Sequence, residues 1–147
     1  MKKLSLIDKA FLLKRTPLFA TLDLDLLLTI ADKLGLSLLE AGEPVFSIDQ
    51  EANRMYLIAK GGIRILDKQK RELALLGADD FFGDESLFHD KPRGYEAVCD
   101  ADTTLLTLSR TNLLSIISEC PSVALGFLQV YSSPIAFRPR KQMEGEG

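Results

Sequence analysis

The stretch from Gly35 to Arg110 constrains the fold most, because it is a succession of short apolar runs cut at near-regular intervals by turn residues. The runs read "LSLLEAGEP", "VFSIDQEAN", "RMYLIAKGG", "IRILDKQK", "RELALLGADD", "YEAVCDADT" and "TLLTLSR". Each is too short for an independent helix and is bounded by Gly, Asp, Asn or Lys, so each reads as a strand and its turn. About eight strands at this spacing fold into an antiparallel sandwich or barrel.

Helical periodicity brackets that region. Ser5 is placed to cap a helix running to Arg15; after the break "TPLF" a second helix begins near Asp23, with Leu24, Leu27, Leu28, Ala31 and Leu34 on one stripe. Beyond Thr111 the pattern returns to helix in "NLLSIISEC", breaks at Pro121, and resumes in "SVALGFLQVYSS" until Pro134. The tail "AFRPRKQMEGEG" has little to bury and reads as flexible. The expected organisation is one domain over 1–133, with helices over 5–34, the β region over 35–110 and helices over 111–133, then a tail over 134–147.

Composition excludes several classes of function. A chain of 147 residues buries enough surface to fold without a metal or disulfide. Cys99 and Cys120 are isolated thiols without metal-ligand spacing, which favours a reduced, cytoplasmic setting. The start "MKKLSLIDKAFLLKRTPLF" is interrupted by Asp8, Lys9, Lys14 and Arg15, so it reads as an amphipathic helix and not a signal peptide. No apolar run approaches the roughly 20 residues that span a bilayer. A net charge of −3 argues against nucleic-acid binding by bulk charge, and too little chain follows Cys120 for a helix-turn-helix. His89 is the sole histidine, so a cupin-like metal centre is not expected. A hydrolase relay of Ser86, His89 and Asp90 would demand a geometry that adjacent loop residues rarely reach.

The segment Phe81 to Ala97, "FFGDESLFHDKPRGYEA", carries the functional signal. Together with "LLKRTPLFATLDLDLLLTIADKL" and "GEPVFSIDQEANRMYLIAKGGIRIL" it resembles, in order, the phosphate-binding cassette, entry helices and first hairpins of cyclic-nucleotide-binding domains. These belong to the cyclic AMP receptor protein and protein kinase A regulatory subunit group, and the resemblance covers Leu12 to Leu128. It implies a mainly β fold, an eight-stranded antiparallel β-roll or jelly roll with flanking helices. It also implies a non-catalytic regulatory domain whose ligand is cyclic AMP, with no cofactor and with an unidentified protein partner as its output.

The family's cassette reads approximately F-G-E-x-A-L, a short loop, then P-R-A-A-T or P-R-S-A. By the resemblance, Gly83 permits the tight turn into a short helix facing the cyclic phosphate, and Arg93, after Pro92, supplies the phosphate's planar counter-charge. The acid for the ribose 2′-hydroxyl falls at Asp84, about 1.5 Å shorter than the family's glutamate; Glu85 is the acid if the loop slips by one. The candidate ligand residues are Gly83, Asp84, Glu85, Ser86, Pro92, Arg93, Gly94 and Tyr95. Gly94, without a hydroxyl to reach guanine, favours cyclic AMP over cyclic GMP. Tyr131, Phe127 and Phe137 are candidates to cap the purine once the ligand draws the C-terminal helix across the pocket.

Three departures weaken the match. Tyr95 shares a strand face with Arg93 and stands to block the pocket, which makes any affinity weak. Glu96 adds a carboxylate expected to repel the phosphate or neutralise Arg93. Asp49 and Asp79 replace two turn glycines, a change aspartate tolerates. A degenerate domain that serves only as a protein-interaction scaffold is the alternative reading.

Overall fold

Turn and cap chemistry sets the element boundaries. The computed structural model describes residues 4–132. The elements are α1 (Leu6–Arg15), α2 (Leu24–Ala31), β1 (Gly35–Leu39), β2 (Pro44–Phe46), β3 (Arg54–Lys60), β4 (Ile63–Leu66), β5 (Glu72–Leu76) and β6 (Phe81–Phe82). There follow α3 (Glu85–His89), β7 (Glu96–Cys99), β8 (Thr103–Ser109), α4 (Arg110–Glu119) and α5 (Ser122–Ser132). Ser5 and Asp8 form a reciprocal capping box on α1, and Asp23 caps α2 through the Leu26 amide. Asp49 and Asp79 adopt the left-handed region at φ 71° and 75°, so aspartate makes turns there that glycine makes most easily.

The strands form two four-stranded sheets, ordered β1-β8-β3-β6 and β2-β7-β4-β5, and every pairing is antiparallel. This is the expected eight-stranded roll. The run before Gly83 is where sequence and structure differ: Phe81 and Phe82 form a two-residue strand against Leu57 and Tyr56 that no alternation announces.

Strict alternation divides the core in two. Met55, Leu57, Leu106 and Leu108 turn outward and pack with α1, α2, α4 and α5 through Leu13, Leu27, Ile30, Leu113, Ile116 and Phe127. Ile58, Ile63, Ile65, Ala97, Cys99 and Leu105 turn inward between the sheets, beside Phe46 and Phe82. Each large side chain so buried contributes about 1.5–3 kcal/mol against exposure. Leu24 departs from its expected place: at 49% exposure it lies off the buried stripe, and Ile30 takes the inward position. The helix starts at Leu24, so this residue sits on the first turn, while the buried positions begin at Leu27. Pro134, Phe137 and the 134–147 tail lie outside the described residues.

Candidate functional site

Gly83 is the pivot of the site. It follows β6 directly and has φ 81°; an added Cβ would meet Arg93 Nη1 at 3.0 Å and Tyr56 Cδ1 at 3.2 Å. Both backbone freedom and close approach therefore require glycine here. The chain then enters α3 with Asp84 at its N-cap position and ends it at Asp90, which is left-handed at φ 54°. The return loop brings residue 93 against the β2–β3 connection, where the Arg93 amide donates to the Gln50 carbonyl at 2.9 Å and the Asp49 amide donates to the Arg93 carbonyl at 2.8 Å.

These two passes of chain place Arg93 inside the mouth of the roll. The residue is only 3% exposed, with the guanidinium 4.1 Å from the Phe46 ring centroid and 5.9 Å from that of Tyr56. Nη1 donates to the Gly83 carbonyl and Nη2 to the Arg54 carbonyl, each at 2.6 Å, while the buried Nε has no partner. Among the described residues Arg93 enters no ion pair. Burial pulls its pKa below the usual arginine value, against the opposing influence of Tyr56, Tyr95, Glu85 and Asp84. Tyr56 stacks on Phe82 at 5.1 Å, and Phe46 contacts Phe82 at 6.0 Å and Tyr95 at 5.6 Å, so an aromatic box lines the floor.

Two tyrosine hydroxyls occupy the cassette's polar groups. The Gly83 amide donates to Tyr95 Oη at 2.9 Å, and that hydroxyl donates to Glu85 Oε1 at 2.9 Å. Burial, then the charges of Glu85 and Asp84, push the Tyr95 phenol well above the ordinary tyrosine range. Asp84, fully buried and making no side-chain cap, accepts a 2.5 Å hydrogen bond from Tyr131 on α5. The helix is seated by aromatic contacts as well, Phe88 of α3 lying edge-on to Phe127 at 4.9 Å and to Tyr131 at 6.3 Å.

The other expected residues fall as follows. Ser86 donates from its hydroxyl to the Pro92 carbonyl at 3.3 Å, closing the cassette loop; Gly94 has open space where a side chain would stand. Ser86 engages the backbone of Pro92, and the Asp90 amide donates to the Ser86 carbonyl, so the imagined relay with His89 is not assembled. Glu96 does not approach Arg93. Tyr95 points inward, so the next residue along the strand points out, and Glu96 pairs with Lys70 at 2.7 Å on the outer surface. Phe127 is a core residue at 3% exposure, and Tyr131 donates to Asp84. Phe46, Tyr56 and the Arg54 carbonyl were missed by sequence reasoning. Strand alternation on β3 would have aimed Tyr56 inward, but nothing local marks Phe46 as the platform for an arginine so far along the chain. Arg110 was missed too; its Nε donates to the Leu87 carbonyl at 2.9 Å, joining α4 to the cassette helix.

Among the described residues no group of three or more His, Cys, Asp or Glu is placed to hold a metal, and no single helix is long and apolar enough to cross a membrane. The fold agrees with the family comparison, in which the cyclic nucleotide-binding domain matches residues 37–120. This chain belongs to the cyclic nucleotide-binding domain family. It is 36% identical over 119 residues to the cyclic AMP receptor protein of Thermus thermophilus, covering 76% of this chain but 54% of that protein's length. The crystal structure of Thermus thermophilus catabolite activator protein matches with a TM-score of 0.77 at 30% identity, over 89% of this chain and 60% of that one. The N-terminal domain of a Streptomyces coelicolor A3(2) transcriptional regulator matches with a TM-score of 0.69 at 27% identity, over 80% and 87% of the two chains. The protein is thus a regulatory, sensor-type domain related to the cyclic AMP receptor proteins.

Proposed function

We propose that the domain is a low-affinity, non-catalytic cyclic AMP sensor, with the cyclic phosphate bound between Gly83 and Arg93 and the ribose read by Asp84. The carrying observation is Arg93, a residue 3% exposed with an unpartnered Nε and no ion pair among the described residues. A cation buried without a direct ion pair is costly, and an anionic ligand at this place offsets that cost. Gly94 presents no hydroxyl to guanine, which supports cyclic AMP as at least equal to cyclic GMP. Tyr95 on the Gly83 amide makes binding weak, about micromolar at best. The output is a cytoplasmic protein partner engaged through the C-terminal helices, and no nucleic acid is bound by this domain itself.

One observation favours a second reading. The Gly83 amide, Glu85 and Asp84 are all engaged by Tyr95 and Tyr131, which suits a domain that keeps the roll as an interaction scaffold. Titration calorimetry with cyclic AMP and cyclic GMP separates the two. Saturable heat at micromolar to sub-millimolar cyclic AMP, lost in Arg93→Ala, supports the sensor. The absence of heat at millimolar nucleotide, in a folded protein, establishes the scaffold.

A further inference from the structure

The contact between α5 and the cassette carries an inference about regulation that rests on the nucleotide reading above. Asp84 has no exposed surface, so a ribose hydroxyl reaches its carboxylate only if something covering it leaves. The group bonded to Oδ2 is the Tyr131 hydroxyl, which donates a proton to the carboxylate as a ribose 2′-hydroxyl would. Tyr131 stands on the last turn of α5, and the helix also meets the cassette through the aromatic group of Phe88, Phe127 and Tyr131.

We propose that Tyr131 is an internal competitor for the ribose acceptor: its bond to Asp84 latches α5 onto the cassette in the nucleotide-free protein, and the ribose 2′-hydroxyl displaces it. Ligand entry therefore loosens the end of α5. This is the reverse of the expectation that the ligand draws the C-terminal helix across an open pocket. The helix is already seated, so the ligand's differential interaction with the two states favours release. The exchange also sets specificity. One hydroxyl replaces another on the same carboxylate, so the 2′-hydroxyl brings little net affinity to the wild type. Once Tyr131 lacks its hydroxyl, the 2′-hydroxyl no longer has that competitor for the carboxylate.

The test uses the full chain and Tyr131→Phe, which keeps the ring packing. Cyclic AMP and 2′-deoxy cyclic AMP are titrated into both proteins, and amide hydrogen exchange of Val123 to Ser132 is followed without nucleotide. The ratio of the dissociation constants, 2′-deoxy over ribo, is expected within about threefold of unity in the wild type and about tenfold or more in Tyr131→Phe. Exchange on α5 is expected to quicken at least about fivefold in the variant, the readout of the latch itself. Measurable binding with equal ratios in both proteins, or a larger ratio in the wild type, overturns the competition and leaves the nucleotide reading standing. Unchanged exchange overturns the latch. No uptake of either nucleotide by either protein at millimolar concentration overturns the competition together with the reading on which it rests, and exchange then judges the latch alone.

Discussion

Tyr95→Phe is the sharpest probe of the cassette, because it removes one oxygen atom and leaves the ring against Phe46 at 5.6 Å. The hydroxyl accepts from the Gly83 amide at 2.9 Å and donates to Glu85 at 2.9 Å. A bond to a charged acceptor contributes about 1.5–3 kcal/mol and a neutral one about 0.5–1.5 kcal/mol, and Glu85 recovers part of its loss from water because it is only half-buried. A net destabilisation of about 2–3 kcal/mol follows, or a fall in melting temperature of about 5–15 °C for a domain of this size. Binding should move the other way. The freed Gly83 amide becomes available to a phosphate oxygen, so affinity for cyclic AMP should rise about tenfold. Urea denaturation and calorimetric titration on the same preparation measure both quantities. If the variant is less stable and also binds less tightly, Tyr95 is a ligand contact and the account of it as an occupant of the site fails. If stability does not change, the two bonds are not contributing as argued.

Alkaline titration offers an independent check on Tyr95. Its pKa is raised in the fold by burial, so above the unfolded-state value near 10 the unfolded chain sheds a proton the native state retains; the contribution is intact below about pH 10 and lost as pH climbs towards the folded pKa. Tyr95→Phe should therefore show a shallower stability loss above pH 10 in denaturant melts than the wild type, and parallel curves would count against the shift. Gly83→Ala places a methyl 3.0 Å from Arg93 Nη1 at φ 81° and should cost about 1–3 kcal/mol while abolishing nucleotide binding, read by thermal melting and titration. Gly126→Ala brings a Cβ to 2.9 Å from the Leu18 carbonyl oxygen and should push α5 off its seat at a cost of about 1–3 kcal/mol; full wild-type protection of α5 in hydrogen exchange would refute it.

The strands and helices were readable because their signals are local. Ser5, Asp8 and Asp23 carry capping chemistry within three positions of their targets, and the runs from Gly35 onward alternate strongly enough to set which face is inward. β6 escaped because two residues cannot display a period, and Leu24 misled because a helical stripe does not say where the neighbouring helix begins to cover it. In the cassette, Gly83 and Arg93 were placed by motif, but the partners of its acids were not. Tyr131 reaches Asp84 across 47 positions, and Arg93 meets the Arg54 carbonyl across 39, distances over which no sequence periodicity carries information. Glu96 was misjudged for a different reason. Its neighbourhood in sequence suggested proximity to Arg93, yet the same alternation that turns Tyr95 inward turns Glu96 outward to Lys70.

Whether such a site senses a nucleotide is a question of how strongly it is closed, not of whether it is closed. On the proposed reading, the bonds that Tyr95 and Tyr131 make to Gly83, Glu85 and Asp84 stabilise a conformation that excludes the ligand, and the apparent dissociation constant rises as the competent fraction falls. If together they favour the closed cassette by about 2 kcal/mol, the open form is about 3% of molecules and affinity drops about 30-fold, which turns a tight binder into a sensor of high nucleotide concentrations. At about 4 kcal/mol the loss approaches 1,000-fold, and a site that would have been micromolar becomes millimolar. The sensor and the scaffold are then the same structure on either side of a difference of about 2 kcal/mol. Buried Arg93, with its unpartnered Nε, biases the balance on the proposed reading towards opening for any anion that can replace the tyrosine hydroxyls, because the closed state gives that cation no direct ion pair among the described residues.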